Sequence, residues 1–141
     1  MKDLLLKLNA CNNAKEWAEN KSWEEIYNTC HRGDWLLWLF KRTNPDDLQL
    51  ITLAKGHCAN TIRHLMKDER SLKAVDAAIA FGEGKITKDE LDAAYATAAD
   101  ADAYAAAAAA SKAENQQLTA DICRKFLPIE IWDINSLNKQ D

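Results

Sequence analysis

Four side chains in this sequence have the chemistry to bind a metal or attack a substrate: Cys30 with His31, and His57 with Cys58. Two cysteines and two histidines are a complete tetrahedral zinc set. Neighbours on a helix point about 100° apart, however, so two adjacent residues seldom reach one ion, and the spacing is not that of known zinc motifs. The same residues read as a Cys/His nucleophile pair lack a third, orienting group and any strand-loop signature to hold them. No glycine-rich phosphate loop, H-E-x-x-H or G-x-S-x-G is present. The bland reading therefore leads for these residues. Cys58 falls on an apolar stripe with His57 at its edge, and no catalytic residue, metal or cofactor is assigned.

Binding chemistry is better represented. Trp17, Trp23, Trp35 and Trp38 fall within 22 residues, and Trp35 and Trp38, three apart, share a helix face. They read first as anchors of a helical core, packing large against small on an alanine-rich helix, and second as an exposed platform for a protein or a base. Arg32 and Asp34 flank the pair. Arg63, Lys67 and Arg70 follow i, i+4, i+7, with His64 beside them, and form one cationic stripe if a single helix runs through all three. Such a stripe is by default a solvated face. As a site it suits phosphates or the acidic rim of a partner's active site. Arg32-Gly33-Asp34 precedes an apolar helix and is not an adhesion motif.

The 141 residues are 48% apolar or aromatic, with four Gly and two Pro, which fits one globular domain, 1–141. Net charge is −4 and unevenly spread: residues 1–73 carry 12 basic and 10 acidic side chains, residues 74–141 carry 6 and 12. That balance argues against long nucleic acid as a partner and puts any anion site in the first half. The start has no apolar leader, so a cytoplasmic location with reduced cysteines is expected for Cys11, Cys30, Cys58 and Cys123. The longest strictly apolar runs, such as the six alanines Ala105–Ala110, are too short to cross a bilayer.

Nearly every segment that would position these groups reads as helix, giving an all-α bundle. Leu4, Leu5 and Leu8 mark an opening helix. Ser22-x-x-Glu25 is a capping box for a helix to about Cys30, and Trp35–Phe40 is a buried helix bounded by Asn44-Pro45-Asp46. Leu48, Ile51, Ala54, Cys58, Ile62 and Leu65 predict an amphipathic helix from Asp46 to about Lys67. Asp68 or Ser71 caps the next, which Gly82-Glu83-Gly84 ends, closing a Trp-rich part, 1–84. Thr87-x-x-Glu90 opens an alanine-rich segment, 85–127, in which Ala93–Ala113 holds fourteen alanines in 21 residues and no Gly or Pro occurs from Lys88 to Leu127. Forty helical residues would span about 60 Å, whereas a domain of this size is about 30–40 Å across. The helix must break, near Ser111 or Asn115, or project into another subunit. Tyr95 and Tyr104 on it are candidates for base stacking or an oligomer contact. Residues 128–141 form an apolar docking tail.

Taken in order, Cys30-x-Arg32-Gly33-Asp34-Trp35-x-x-Trp38-Leu39, Leu53-Ala54-Lys55 with Cys58-Ala59, His64 to Ser71, Glu90 to Tyr95 and Ala120-Asp121-Ile122-Cys123-Arg124 resemble the immunity proteins of bacterial polymorphic-toxin systems. Similar proteins occur in phage and prophage genomes. The resemblance implies an all-helical, non-enzymatic protein of the cytoplasm that neutralises a toxin protein by binding it. The candidate binding residues, for a protein partner or an anion, are those read above: Arg32, Asp34, Trp35, Trp38, Arg63, His64, Lys67 and Arg70. Two other readings stay open. One is a phage-encoded counter-defence protein that sequesters a small nucleotide, with Arg32, Arg63, Lys67 and Arg70 on phosphates. The other is a structural homo-oligomer packed through the Ala-rich helix.

Overall fold

The computed structural model describes residues 2–97 and 108–134, and all regular secondary structure among them is helical. The helices are α1 (Lys2–Lys7), α2 (Asn12–Ala18), α3 (Trp23–Thr29), α4 (Gly33–Thr43), α5 (Leu48–Asn60), α6 (Glu69–Gly82), α7 (Lys88–Ala96) and α8 (Ala113–Phe126). Short 3₁₀ turns occupy Arg63–Leu65 and Ile129–Ile131. None of the described helices is long and apolar enough to cross a membrane.

Helix ends follow local chemistry. The Ser22 hydroxyl accepts from the Glu25 N–H at the start of α3, and Asp68 accepts from the Arg70 N–H at the start of α6. Thr87 and Glu90 complete both halves of a capping box on α7. Behind α6, Gly84 takes the left-handed φ of 78° that ends the helix cleanly. Asn44 terminates α4 and does more than break it. Its Nδ2 donates to the Ile131 carbonyl at 2.9 Å and its Oδ1 accepts from the Asp133 N–H, tying the α4–α5 turn to the docking tail. Pro45 lies in that turn, ahead of α5 rather than inside its first turn.

At the centre, α4 buries Leu36, Leu39, Phe40 and Thr43 on one stripe. Helix α8 crosses it at Gly33, where a Cβ would overlap Thr119, and Cys123 Sγ lies 3.7 Å from the Gly33 carbonyl. Gly33 is thus a contact point between helices far apart in sequence, not only the punctuation its place before the Trp run suggested. On its other side α5 meets α6 equally closely, with a Cβ at Gly82 overlapping Leu53. The C-terminal turn of α8 is fastened to α3. Arg124 Nη1 donates to the carbonyls of Tyr27 and Cys30 at 3.1 and 2.8 Å, and the Tyr27 hydroxyl lies 3.0 and 2.9 Å from the carbonyls of Arg124 and Leu127. Burial pushes the Tyr27 phenol above its usual pKa.

One open alternative is decided and two expectations change. The long alanine-rich helix is broken: α7 ends at Ala96, Ser111 and Lys112 form a turn, and α8 starts at Ala113. Alanine propensity favours continuity, but the Ser111 hydroxyl bonds back to the Ala108 carbonyl and α8 turns to bury Thr119, Ala120 and Cys123. Tertiary burial outweighs a propensity worth tenths of a kcal/mol per residue. Second, α5 stops at Asn60, because the Thr61 hydroxyl takes the Cys58 carbonyl and the chain tightens into the 3₁₀ turn. Third, among the described residues the ring partners of the tryptophans are one another, His31, Tyr27 and Phe40, while the helix packed on α4 is α8.

Candidate functional site

Helices α1 to α4 enclose a cavity of about 310 Å³ that opens to solvent, near the lower size limit of ligand sites. Its walls are Trp17 from α2 and Trp35 and Trp38 from α4, all half-buried. Buried aliphatic side chains, Leu5, Ile26 and Leu39 among them, form the floor. The mouth is polar: Arg32, Asp34 and the exposed Cys11.

Each wall has a local cause. On α4, Trp35 and Trp38 are one turn apart on the flank of the buried stripe, so part of each ring stays uncovered. On α2, Ala14 and Ala18 bracket Trp17 at i−3 and i+1, leaving space rather than side chain beside the indole. Trp17 and Trp35 meet with ring centroids 6.0 Å apart, and His31 lies edge-on to both at 5.6 and 5.7 Å.

Every wall tryptophan also carries a cation from this chain. The Arg32 guanidinium lies 4.5 Å from the Trp35 ring centroid, Lys21 Nζ 5.0 Å from Trp17, and the Arg42 guanidinium 5.3 Å from Trp38. Arg32 further donates through Nε and Nη2 to the two oxygens of Asp34, at 3.1 and 2.7 Å. This pair, with side chains 28% and 59% exposed, is a directional clamp rather than a large source of stability.

Arg32, Asp34, Trp35 and Trp38 are therefore brought together. The other expected site residues are not. Arg63 sits in the 3₁₀ turn with its guanidinium on Asp76 of α6, holding that carboxyl below the usual range. Arg70 is on α6 and pairs with Asp68, whose carboxyl it pulls down to about 2. Lys67 is exposed in the extended link between the two elements, and His64 borders a separate shallow depression with Leu65 and Leu118. The i, i+4, i+7 stripe does not exist, because the chain leaves helix geometry between Asn60 and Glu69. Tyr95 is half exposed on α7, away from the cavity, and Tyr104 lies outside the described residues.

The thiol and imidazole pairs are also separated. Cys30 is buried and His31 exposed, while the His57 ring stacks on Phe126 at 4.2 Å. Inside the α5–α8 contact the Cys58 thiol donates to the Thr119 carbonyl and the Cys123 thiol to the Gly33 carbonyl; the neighbouring Cys58 side chain and burial push the Cys123 thiol far up, and burial raises Cys30. Protonated, enclosed thiols of this kind are packing groups. Among the described residues no three His, Cys, Asp or Glu side chains converge to hold a metal ion.

Trp17 and Ala14 are among the cavity residues that the sequence-based set omits. Their signal was the small-large-small spacing of Ala14, Trp17 and Ala18, legible only once a second helix is known to face it. Comparison with protein-family models, curated proteins and solved structures finds no match to this chain.

Proposed function

We propose that this protein is a non-catalytic binding module of the immunity type, which neutralises a toxin by receiving one of its apolar side chains in the tryptophan-walled cleft. The observation carrying the reading is the cleft itself: a preformed aliphatic floor with three half-exposed indoles and a charged clamp at the mouth. Buried aromatic anchors surrounded by a polar rim are the arrangement that concentrates binding energy at protein interfaces. Its size suits one large apolar side chain. The nucleotide reading is less well supported, because Arg63 and Arg70 each hold a carboxylate of their own and lie off the cleft.

The reading requires a nearby gene whose product arrests growth when expressed alone and is tolerated when this chain is co-expressed. Arrest that this chain does not relieve overturns it. The site within that function is tested by Ala14→Trp, which fills the cleft from its α2 wall without removing a core contact. Relief of toxicity should be lost while helical circular dichroism and the melting temperature stay near those of the parent. Full relief by a folded variant would move the interface elsewhere.

A further inference from the structure

The charges around the cleft restrict what can enter it. A bare aromatic cage attracts cations through the negative faces of its rings. Here each wall ring already has a cation over it: Arg32, which lines the cavity, lies 4.5 Å from Trp35, while Lys21 and Arg42, outside the lining, lie 5.0 and 5.3 Å from Trp17 and Trp38. A second cation entering the cavity would meet the Arg32 charge at the mouth. Asp34, the only carboxylate among the described residues lining the cavity, is engaged at both oxygens by Arg32. Arg32 is not saturated in turn, since Nε and Nη2 serve Asp34 and Nη1 makes no hydrogen bond to any described residue. Among the described residues the floor supplies no polar side chain beyond the Cys30 thiol, which is committed to the Arg32 carbonyl at 3.4 Å.

We infer that the cleft recognises a large apolar side chain carrying a carboxylate beside it on the partner protein, the side chain seated between Trp17, Trp35 and Trp38 and the carboxylate on the free Nη1 of Arg32. This rests on the partner-binding reading above and names the chemistry of that partner. Asp34 then acts as a competitor, holding Arg32 in place while tempering its charge. Removing that competition should strengthen binding of an anion and weaken binding of a cation, and this sign separates the two kinds of ligand.

The experiment uses the full chain with 3-phenylpropanoate and 4-methylpentanoate as probes, against the matching amides and against 2-phenylethylamine, followed through the indole N–H resonances of the wall tryptophans. The carboxylates should bind tighter than the amides by about two- to fivefold, the range of a half-exposed charge pair, and the amine weakest. Asp34→Asn should tighten the carboxylates by a similar factor, and Arg32→Gln should erase their advantage while the amides are unchanged. An amine that binds as well as the carboxylates, an Asp34→Asn variant that binds carboxylates more weakly, or no indole response to any probe at millimolar concentration overturns the inference. Relief of toxicity without carboxylate preference overturns it and leaves the proposed function standing. Carboxylate preference in a chain that relieves no toxin does the reverse.

Discussion

Two aromatic clusters lie side by side in this molecule, built from the same residue types and put to different uses. In one, Tyr27, Phe40 and Trp132 are buried and Trp23 packs on them, with Trp132 ring centroids 4.9 Å from Trp23 and 5.0 Å from Phe40. Its polar atoms are paired inside, the Trp132 indole N–H donating to the Leu127 carbonyl at 2.9 Å. In the other, Trp17, Trp35 and Trp38 stand around an open cavity, and their polar company is cations and solvent. An aromatic ring enclosed on all sides with its donor satisfied contributes stability, whereas one left half-uncovered beside a cavity costs hydration that only a partner can recover. The difference is set by what the neighbouring helices place against each ring.

The largest expected effect falls on the enclosed cluster. Trp132→Ala should lower the unfolding free energy by about 3–5 kcal/mol, as for other large core aromatics, measured by urea denaturation. Trp17→Ala, at the cleft, should cost about 1–2 kcal/mol because its ring is only partly removed from water, yet abolish partner binding. Equal losses from the two variants would erase the distinction drawn here. Tyr27→Phe sharpens it further. The ring remains while the link to Arg124 and Leu127 goes, and the expected cost is about 1 kcal/mol, with no change in probe affinity at the cleft.

The smallest effect lies outside both clusters. The Arg70 guanidinium and N–H hold the Asp68 carboxyl at about 2, below its ordinary 3.8. A carboxyl depressed by folding contributes stability above its unfolded pKa, and the contribution is lost as pH falls from about 4 through the folded value. Arg70→Gln should return the Asp68 titration toward 3.8 by carbon-detected NMR and leave cleft binding untouched. Altered cleft binding in that variant would reinstate Arg70 as part of the site.

Much of the helical layout was legible because its signals are local. Ser22, Asp68 and Thr87 each hold a helix start through bonds to the next three residues, and Asn44 ends α4 where its sequence suggested. The cationic stripe was misread for a physical reason. Apolar spacing through Ile62 and Leu65 continues the helical period, but the Thr61 hydroxyl competes for the Cys58 carbonyl and tightens the chain, so Arg63 turns to Asp76 instead of aligning with Arg70. Arg124 was visible only as part of a motif. Its two carbonyl partners on α3 make it the clasp between the first and last parts of the bundle.

By itself, the sequence determined the all-helical class, most helix starts and stops, and the placing of Arg32, Asp34, Trp35 and Trp38 on one short stretch, since hydrogen bonds and helix faces depend on residues within about four positions. Only the tertiary structure decided which tryptophans are enclosed and which stand open, that Gly33 must be small because Thr119 crosses it, and that the alanine-rich segment breaks at Ser111 rather than projecting. Those outcomes depend on contacts between helices distant along the chain. Neither propensity nor periodicity carries information about them.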